Sequence, residues 1–274
     1  MSGFDITQYA QKNPAEVRAL FRASALDVPT AGMCRGYAQA NLMILPREWA
    51  RDFREFTARN PFACPVLEVI EGTPETHLMA RGGNIATDIP AYFLYENGVR
   101  TARVTDVSEY WTQDSVGFLI GCSFSFEEAL MRAGIEMRHI ATGRNVPMYK
   151  TNRMTVPVGP FSGPVVCSMR PMTPENARLA YEITVRFPNV HGAPLHMGDP
   201  AALGIANIMQ PDYGDAVEIY PGEIPVFWPC GVTPQAAVEQ AKPPLAIAHA
   251  PGYMFLTDIR NDALNDFLEQ HKQR

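Results

Sequence analysis

Three stretches of this chain share one form. A short apolar run ends in a turn dense with cysteine, glycine, serine or proline, and a helix start follows. The first is Phe118 to Glu127, which reads FLIGCSFSFE; the second is Val165 to Pro171, VVCSMRP; the third is Val226 to Gln235, VFWPCGVTPQ. In α/β folds ligands collect at strand ends that face helix N-termini, where free backbone N–H groups favour an anion such as a carboxylate. The same dipole can lower the pKa of a thiol. Cys122 and Cys230 are therefore candidate reactive thiols, and Ser123 and Thr233 are candidate substrate contacts beside them. Free cysteine is also among the most buried residue types, so a small packed hydrophobe is the competing reading. Cys167 lies within a strand pattern and is expected to point to a core.

A second stretch carries different chemistry. His191, His196 and Asp199 fall within ten residues of a glycine- and proline-rich loop. Two imidazoles and a carboxylate suit acid–base catalysis, with Asp199 orienting one ring. They also make up a partial metal-ligand set, so a divalent metal is admissible although no cofactor is required. Arg138, Lys150 and Arg170 are candidate holders of a substrate carboxylate, since a guanidinium offers a bidentate fork. Gln39 and Asn41 stand two apart and would share a face in a strand. There they either bind a polar ligand or satisfy buried backbone groups.

The elements that must position these groups follow from pattern. Pro14 and Thr173-Pro174 open helices, and Trp49, Phe53 and Phe56 share one face of another. Short β-rich runs are expected at 66–70, 78–80, 92–95, 101–104, 116–120, 165–169, 216–220, 224–228 and 245–249, with Asn97-Gly98 as a hairpin turn. Strands mixed with helices predict the α/β class. The many short strands suggest two mixed α/β subdomains, one inserted in or interleaved with the other. Residues 1–120 plus 205–274 form the larger unit and 121–204 the smaller.

The 274 residues, 46% of them hydrophobic, can bury a sizeable core. The 23 basic and 29 acidic residues give a net charge of −6, and no basic tract exists, which argues against nucleic acid as a partner. Five scattered cysteines and a polar N-terminus suggest a reducing, cytoplasmic setting, and no apolar stretch is long enough for a membrane span. A small-molecule substrate is the expected partner, with a homodimer as a guess from size. No GxGxxG, GxxxxGK[ST] or GxSxG motif is present, so dinucleotide, P-loop and nucleophile-elbow chemistries lack their signatures.

Taken together, GYAQANL (36–42), TDIP (87–90), GCSFSFE (121–127), VPMYKT (146–151), SMRP (168–171), HGAP (191–194), PVFW (225–228), CGVTPQ (230–235) and HAPG (249–252) resemble the D-glutamate cyclase family, over nearly the whole chain. Met33-Cys34-Arg35 and Pro229 depart from the family pattern. The resemblance implies a two-part α/β architecture and a lyase that eliminates water from a small amino or hydroxy acid. In the cyclase that names the family, D-glutamate closes to 5-oxo-D-proline. On that chemistry His191 or His196 serves as base, and Arg138 or Arg170 and the turns after Cys122 and Cys230 hold the carboxylates. Alternatives are a racemase, an amidohydrolase or a C–O hydro-lyase acting on a related acid, and a non-catalytic binder of small carboxylates.

Overall fold

A computed structural model describes residues 6–271. Helix α1 (Pro14–Arg22) starts where expected: the Asn13 side chain accepts from the Ala15 N–H, and proline occupies the first turn. Strand β1 (Tyr37–Pro46) follows and is buried over most of its length. Helix α2 (Arg47–Arg59) buries Phe53 and Phe56, and the Phe53 ring meets Phe118 edge-on at 4.8 Å. Then come β2 (Val66–Glu71), β3 (Tyr92–Glu96), β4 (Val99–Val104) and β5 (Ser115–Gly121). Asn97 and Gly98 both have positive φ and close the β3–β4 hairpin as the sequence predicts.

The chain continues through α3 (Phe124–Arg132), α4 (Arg138–Ala141), β6 (Met148–Met154), β7 (Pro164–Met172), α5 (Pro174–Thr184), β8 (His196–Met197) and β9 (Ile224–Pro229). It ends with α6 (Thr233–Ala241), β10 (Ala246–His249), β11 (Phe255–Arg260) and α7 (Leu264–His271). Two sheets result, in a mixed α/β structure. A seven-stranded sheet runs β2-β5-β1-β10-β3-β4, with β11 also pairing β1, and a four-stranded sheet runs β6-β7-β9-β8. The four strands of the second sheet all lie in sequence between β5 and β10. Strand β9 pairs with β7 and β8, although it falls within the 205–274 stretch that sequence reasoning placed in the larger unit.

Three expectations are corrected. Every strand pairing among the described residues is antiparallel, so the crevice rule for parallel sheets does not locate the site. The runs at 78–80 and 216–220 are not strands. In the first, the N–H groups of His77, Leu78 and Met79 donate to the Glu68 carboxylate instead of to a neighbouring strand. The second supplies the Glu218 carbonyl to Arg138.

The main apolar cluster spans both sheets. Leu42, Leu119, Phe126, Met172, Val226 and Trp228 all belong to it. The ends of β5 and β9, which lead into the Cys122 and Cys230 turns, are thereby fixed against β7, whereas the expected turn at Val165 to Pro171 lies wholly inside that strand. No helix among the described residues is long and apolar enough to cross a membrane.

Candidate functional site

Arg170, on β7, is fully buried, and its guanidinium is the hub of a polar centre. Nε donates to Glu127 Oε1 at 2.9 Å, Nη1 to Ser168 Oγ at 3.0 Å and Nη2 to Ser123 Oγ at 3.0 Å, with a further bond from Nη2 to Glu127 Oε1. The rings of Phe126 and Trp228 lie 5.5 and 5.4 Å from its Cζ and wall it from water. His139 Nε2 approaches the same Glu127 Oε1 at 3.2 Å. Oε1 is thus crowded with donors, while Oε2 is buried and has no partner among the described residues. Burial pushes the Glu127 carboxyl up, but His139 and Arg170 outweigh it and hold the group below the usual carboxylate range. The result is a dry carboxylate anion with one oxygen engaged and the other free to accept. Leaving such an acceptor unpaired costs about 1–3 kcal/mol, which a donor brought by a ligand would recover.

Two of the cysteine turns meet here. Cys122 and Cys230 share a small cluster with Phe124, Val166 and Met254. Neither is an activated thiolate, contrary to the helix-dipole expectation. Burial, the largest influence, pushes Cys122 well above its ordinary value and raises Cys230 to about 11. The neighbouring Arg170 and the backbone N–H groups of Phe124 and Val232 pull the other way and lose. Both are neutral thiols at neutral pH. Cys167 is buried on β7 as expected.

His191 reaches the centre through a backbone contact. At Gly121 an added Cβ would stand 1.9 Å from the Asn189 carbonyl oxygen, so only glycine lets the 188–191 segment close on the end of β5. His191 is fully buried there with φ 82°, and its Nδ1 lies 2.8 Å from the Phe62 carbonyl. A carbonyl partner makes Nδ1 the protonated nitrogen, and Nε2 then carries the lone pair with no partner among the described residues. Burial lowers its pKa to about 4, aided by Arg170 and opposed by the Phe62 and Gly121 carbonyls. His191 is a neutral imidazole coupled to Arg170, close enough to the Gly121 carbonyl to feel it.

The other loop residues stand apart. His196 Nε2 bonds the Asp199 backbone carbonyl at 2.8 Å, while the Asp199 carboxylate is exposed and accepts from the Ala201 N–H. Asp199 therefore orients no imidazole by its side chain. No group of three or more His, Cys, Asp or Glu placed to hold a metal exists among the described residues, so His191, His196 and Asp199 do not form the ligand set their spacing suggested.

Other expected contacts are structural pins. Arg138 donates to Glu136, to both Glu223 oxygens and to the Glu218 carbonyl, and its Cζ lies 3.8 Å from the Tyr220 ring centre, so little is left for a substrate. Lys150 pairs with Glu239 at 2.9 Å. Gln39 donates to the Thr30 and Met33 carbonyls and accepts from Thr30 Oγ1. Thr233 Oγ1 ties β7 to the third turn through Val166 N and Cys230 O. Asn41 donates to the Ile120 and Gly121 carbonyls, and its amide packs against Gly231, which leaves it beside the centre. Sequence reasoning missed Glu127 and His139. Glu127 lies inside the 118–127 stretch and His139 beside Arg138, but an acidic residue in a helix's first turn is common for the helix dipole alone and does not stand out.

The fold and this centre define a class: a mixed α/β protein whose two sheets enclose a dry Arg–Glu–His cluster with neutral thiols and an imidazole at its edge. The chain belongs to the D-glutamate cyclase family, whose model matches residues 116–258. That span contains all of β5 but Ser115, the whole of β7 and β9, and every member of the cluster. Three relatives named "Putative hydro-lyase" agree. The one from Mycolicibacterium gilvum is 56% identical, covering 92% of this chain and 96% of the relative. That from Bacillus velezensis is 53% identical over 92% and 96%, and that from Bacillus subtilis 53% over 92% and 98%.

Proposed function

We propose that the protein is a hydro-lyase acting on a small carboxylate, with D-glutamate as the first substrate to test and 5-oxo-D-proline and water as its products. Family membership supports the reaction class. The single structural observation that carries the site is the buried Glu127 carboxylate, anionic and half-engaged, beside Arg170. On the same reading the two sheets are two units, the second inserted in the first, and the site lies at their junction.

Cyclisation joins the amine nitrogen to the side-chain carboxyl carbon and expels one carboxyl oxygen. An ammonium and a carboxylate become an amide and water, so two protons leave nitrogen and both end on the departing oxygen. Glu127 Oε2 receives the ammonium, takes the first proton and returns it to the departing oxygen. The Arg170 Nη1 hydrogen not used by Ser168 holds the reacting carboxylate and stabilises charge on it. His191 Nε2 takes the second proton. An imidazolium with a pKa of about 4 is a poor store for a proton and a ready donor to a leaving oxygen. Amine and carboxyl already belong to one molecule, so the protein's main task is charge handling.

Proton NMR of purified protein with D- and L-glutamate separately tests this. Production of 5-oxoproline from the D isomer, lost in Glu127→Gln, is the expected result. No product from either isomer would remove the glutamate assignment. Cys122 and Cys230, packed in one cluster beside the centre, make racemisation the second reading. Deuterium entering Cα from solvent without water loss would establish it.

A further inference from the structure

The polar centre is closed to solvent, so a substrate must enter from somewhere. A cleft of about 310 Å³ opens on the outer side of α3, lined by Ala129, Arg132, Arg186, Arg260, Asn261 and Asp262 among others. Its apolar wall is Ile183 and Phe187. A second, small cavity of about 10 Å³ shares Gly36, Glu128 and Asn261 with the cleft, and Glu127 is among its lining residues. That is about the space of one water, too narrow for a metabolite without movement. Cleft and cavity thus adjoin in a line that ends at Glu127 among the cavity's lining residues.

The charges along that line are uneven. Arg132 is paired with Glu128 at 2.9 Å. Arg186 and Arg260 make no ion pair or side-chain hydrogen bond among the described residues, and of the two acids that line the cleft Glu128 is held by Arg132, which leaves Asp262. Arg260 is held in place from below. Its guanidinium lies over the Tyr37 ring at 5.0 Å and against Gly36, where an added Cβ would meet Nη2 at 2.7 Å. Asn261 presents an unpartnered, buried Oδ1 at the junction of cleft and cavity. A cleft of about 90 Å³ reaches His139 from another side, but its arginine, Arg144, already donates to the Ala216 carbonyl. A wider cleft of about 500 Å³ beside Phe62 and Asn189 has Arg54 as its one arginine, already paired with Glu71, so charge favours the 310 Å³ cleft for an anion.

We infer that this cleft is the docking vestibule of the Glu127 centre, where Arg186 and Arg260 capture a small dicarboxylate before it passes Gly36 and Asn261. The inference rests on the proposed function for the identity of the centre, but its first test does not require turnover. Arg186 and Arg260 are positioning residues: they receive the carboxylates and take no part in proton transfer. Two guanidinia without a carboxylate partner suit a substrate with two carboxylates better than a monoacid.

The probe is glutarate, a dicarboxylate of glutamate's length that lacks the amine and cannot cyclise. Calorimetric titration of the intact protein should show saturable binding. Affinity should fall at least tenfold in the double variant Arg186→Gln/Arg260→Gln and stay within twofold in Arg59→Gln, an exposed arginine on α2 far from the cleft. No glutarate binding by the unaltered protein, or unchanged affinity in the double variant, overturns the inference whether or not glutamate is turned over. With an active enzyme, the double variant should raise KM for D-glutamate tenfold or more with kcat within twofold. Ala129→Trp, which fills the cleft from the exposed side of α3, should lower kcat/KM tenfold or more with an unchanged circular dichroism spectrum. Full kcat/KM in that variant would place the entrance elsewhere, and loss of kcat with unchanged KM in the double variant would mark a structural role instead.

Discussion

The loop from His191 to Asp199 and the buried centre around Arg170 offer much the same chemical groups and use them in opposite ways. In the loop, His196 is bonded to a backbone carbonyl and Asp199 to a backbone N–H three and two residues away. Those bonds are local and shape the loop. In the centre the partners are far apart in sequence. Arg170 meets Glu127 across 43 residues and Ser123 across 47, and the bonds are unequal, with one carboxylate oxygen crowded and one bare. Proximity in sequence makes local hydrogen bonds cheap, and local bonds consume reactive groups. A site with spare capacity needs groups that the fold brings together and does not fully satisfy. His191 belongs by sequence to the first region and by structure to the second.

The largest effect should come from breaking the centre. Glu127→Gln keeps the shape but leaves the Arg170 charge buried with no anion, and Arg170→Leu does the converse. Each should cost about 3–5 kcal/mol, read as a lower urea midpoint, because an orphaned buried charge is not repaid. Each should also lower kcat at least about a hundredfold. If both variants keep near-normal kcat, the centre is only an internal brace and the contrast with the loop disappears.

The second test sharpens where His191 belongs. His191 and His249 are both buried with pKa values lowered to about 4, against about 6.5 when unfolded. Between those values the unfolded chain binds protons that the native state refuses. Stability is therefore unaffected above about pH 6.5 and declines as pH falls toward 4. Each ring contributes on the order of 3 kcal/mol to that decline. Urea titrations from pH 7 to 4.5 should show it, and His191→Gln should remove roughly half of this slope. An unchanged slope would mean that the ring is solvated, as a loop histidine is.

This contrast also explains what could be read in advance. Helix starts at Asn13 and Thr173 and the Asn97-Gly98 hairpin are set by neighbours in the chain, and they stand where expected. Strand ends that carry small residues are visible as patterns, and β5 and β9 do end at the Cys122 and Cys230 turns, whereas the stretch around Arg170 runs on as strand β7. The partners within those turns were not visible. Glu127 rather than a cysteine is the charged group, since burial beside Arg170 and His139 suppresses one ionisation and favours the other. The same limit hid the true fate of Arg138, which Glu223 claims from 85 residues away.

The thiols give a smaller effect. Neutral Cys122 and Cys230 should react slowly with iodoacetamide in native protein at pH 7.5 and fast after unfolding, as counted by intact mass. Cys230→Ala should cost about 1–2 kcal/mol through lost packing, with kcat kept within tenfold. A fall of a thousandfold without loss of stability would instead make the thiol a nucleophile and shift the chemistry to the third turn.

The smallest effect belongs to the loop itself. Asp199→Ala removes one acceptor from the Ala201 N–H at an exposed turn, and losses of that kind cost about 1 kcal/mol. His196→Ala removes a half-buried ring that stacks on Phe227 at 6.1 Å between centres. Neither group touches Arg170 or Glu127, so kcat should stay within twofold in both variants, and only the urea midpoint should move. A tenfold loss of kcat in either would show that the loop folds down over the centre during turnover. His196 would then act from a position that the resting structure does not give it. The pair of variants thus separates a loop that shapes itself from a loop that serves the site, and it does so against Glu127→Gln measured in the same assay.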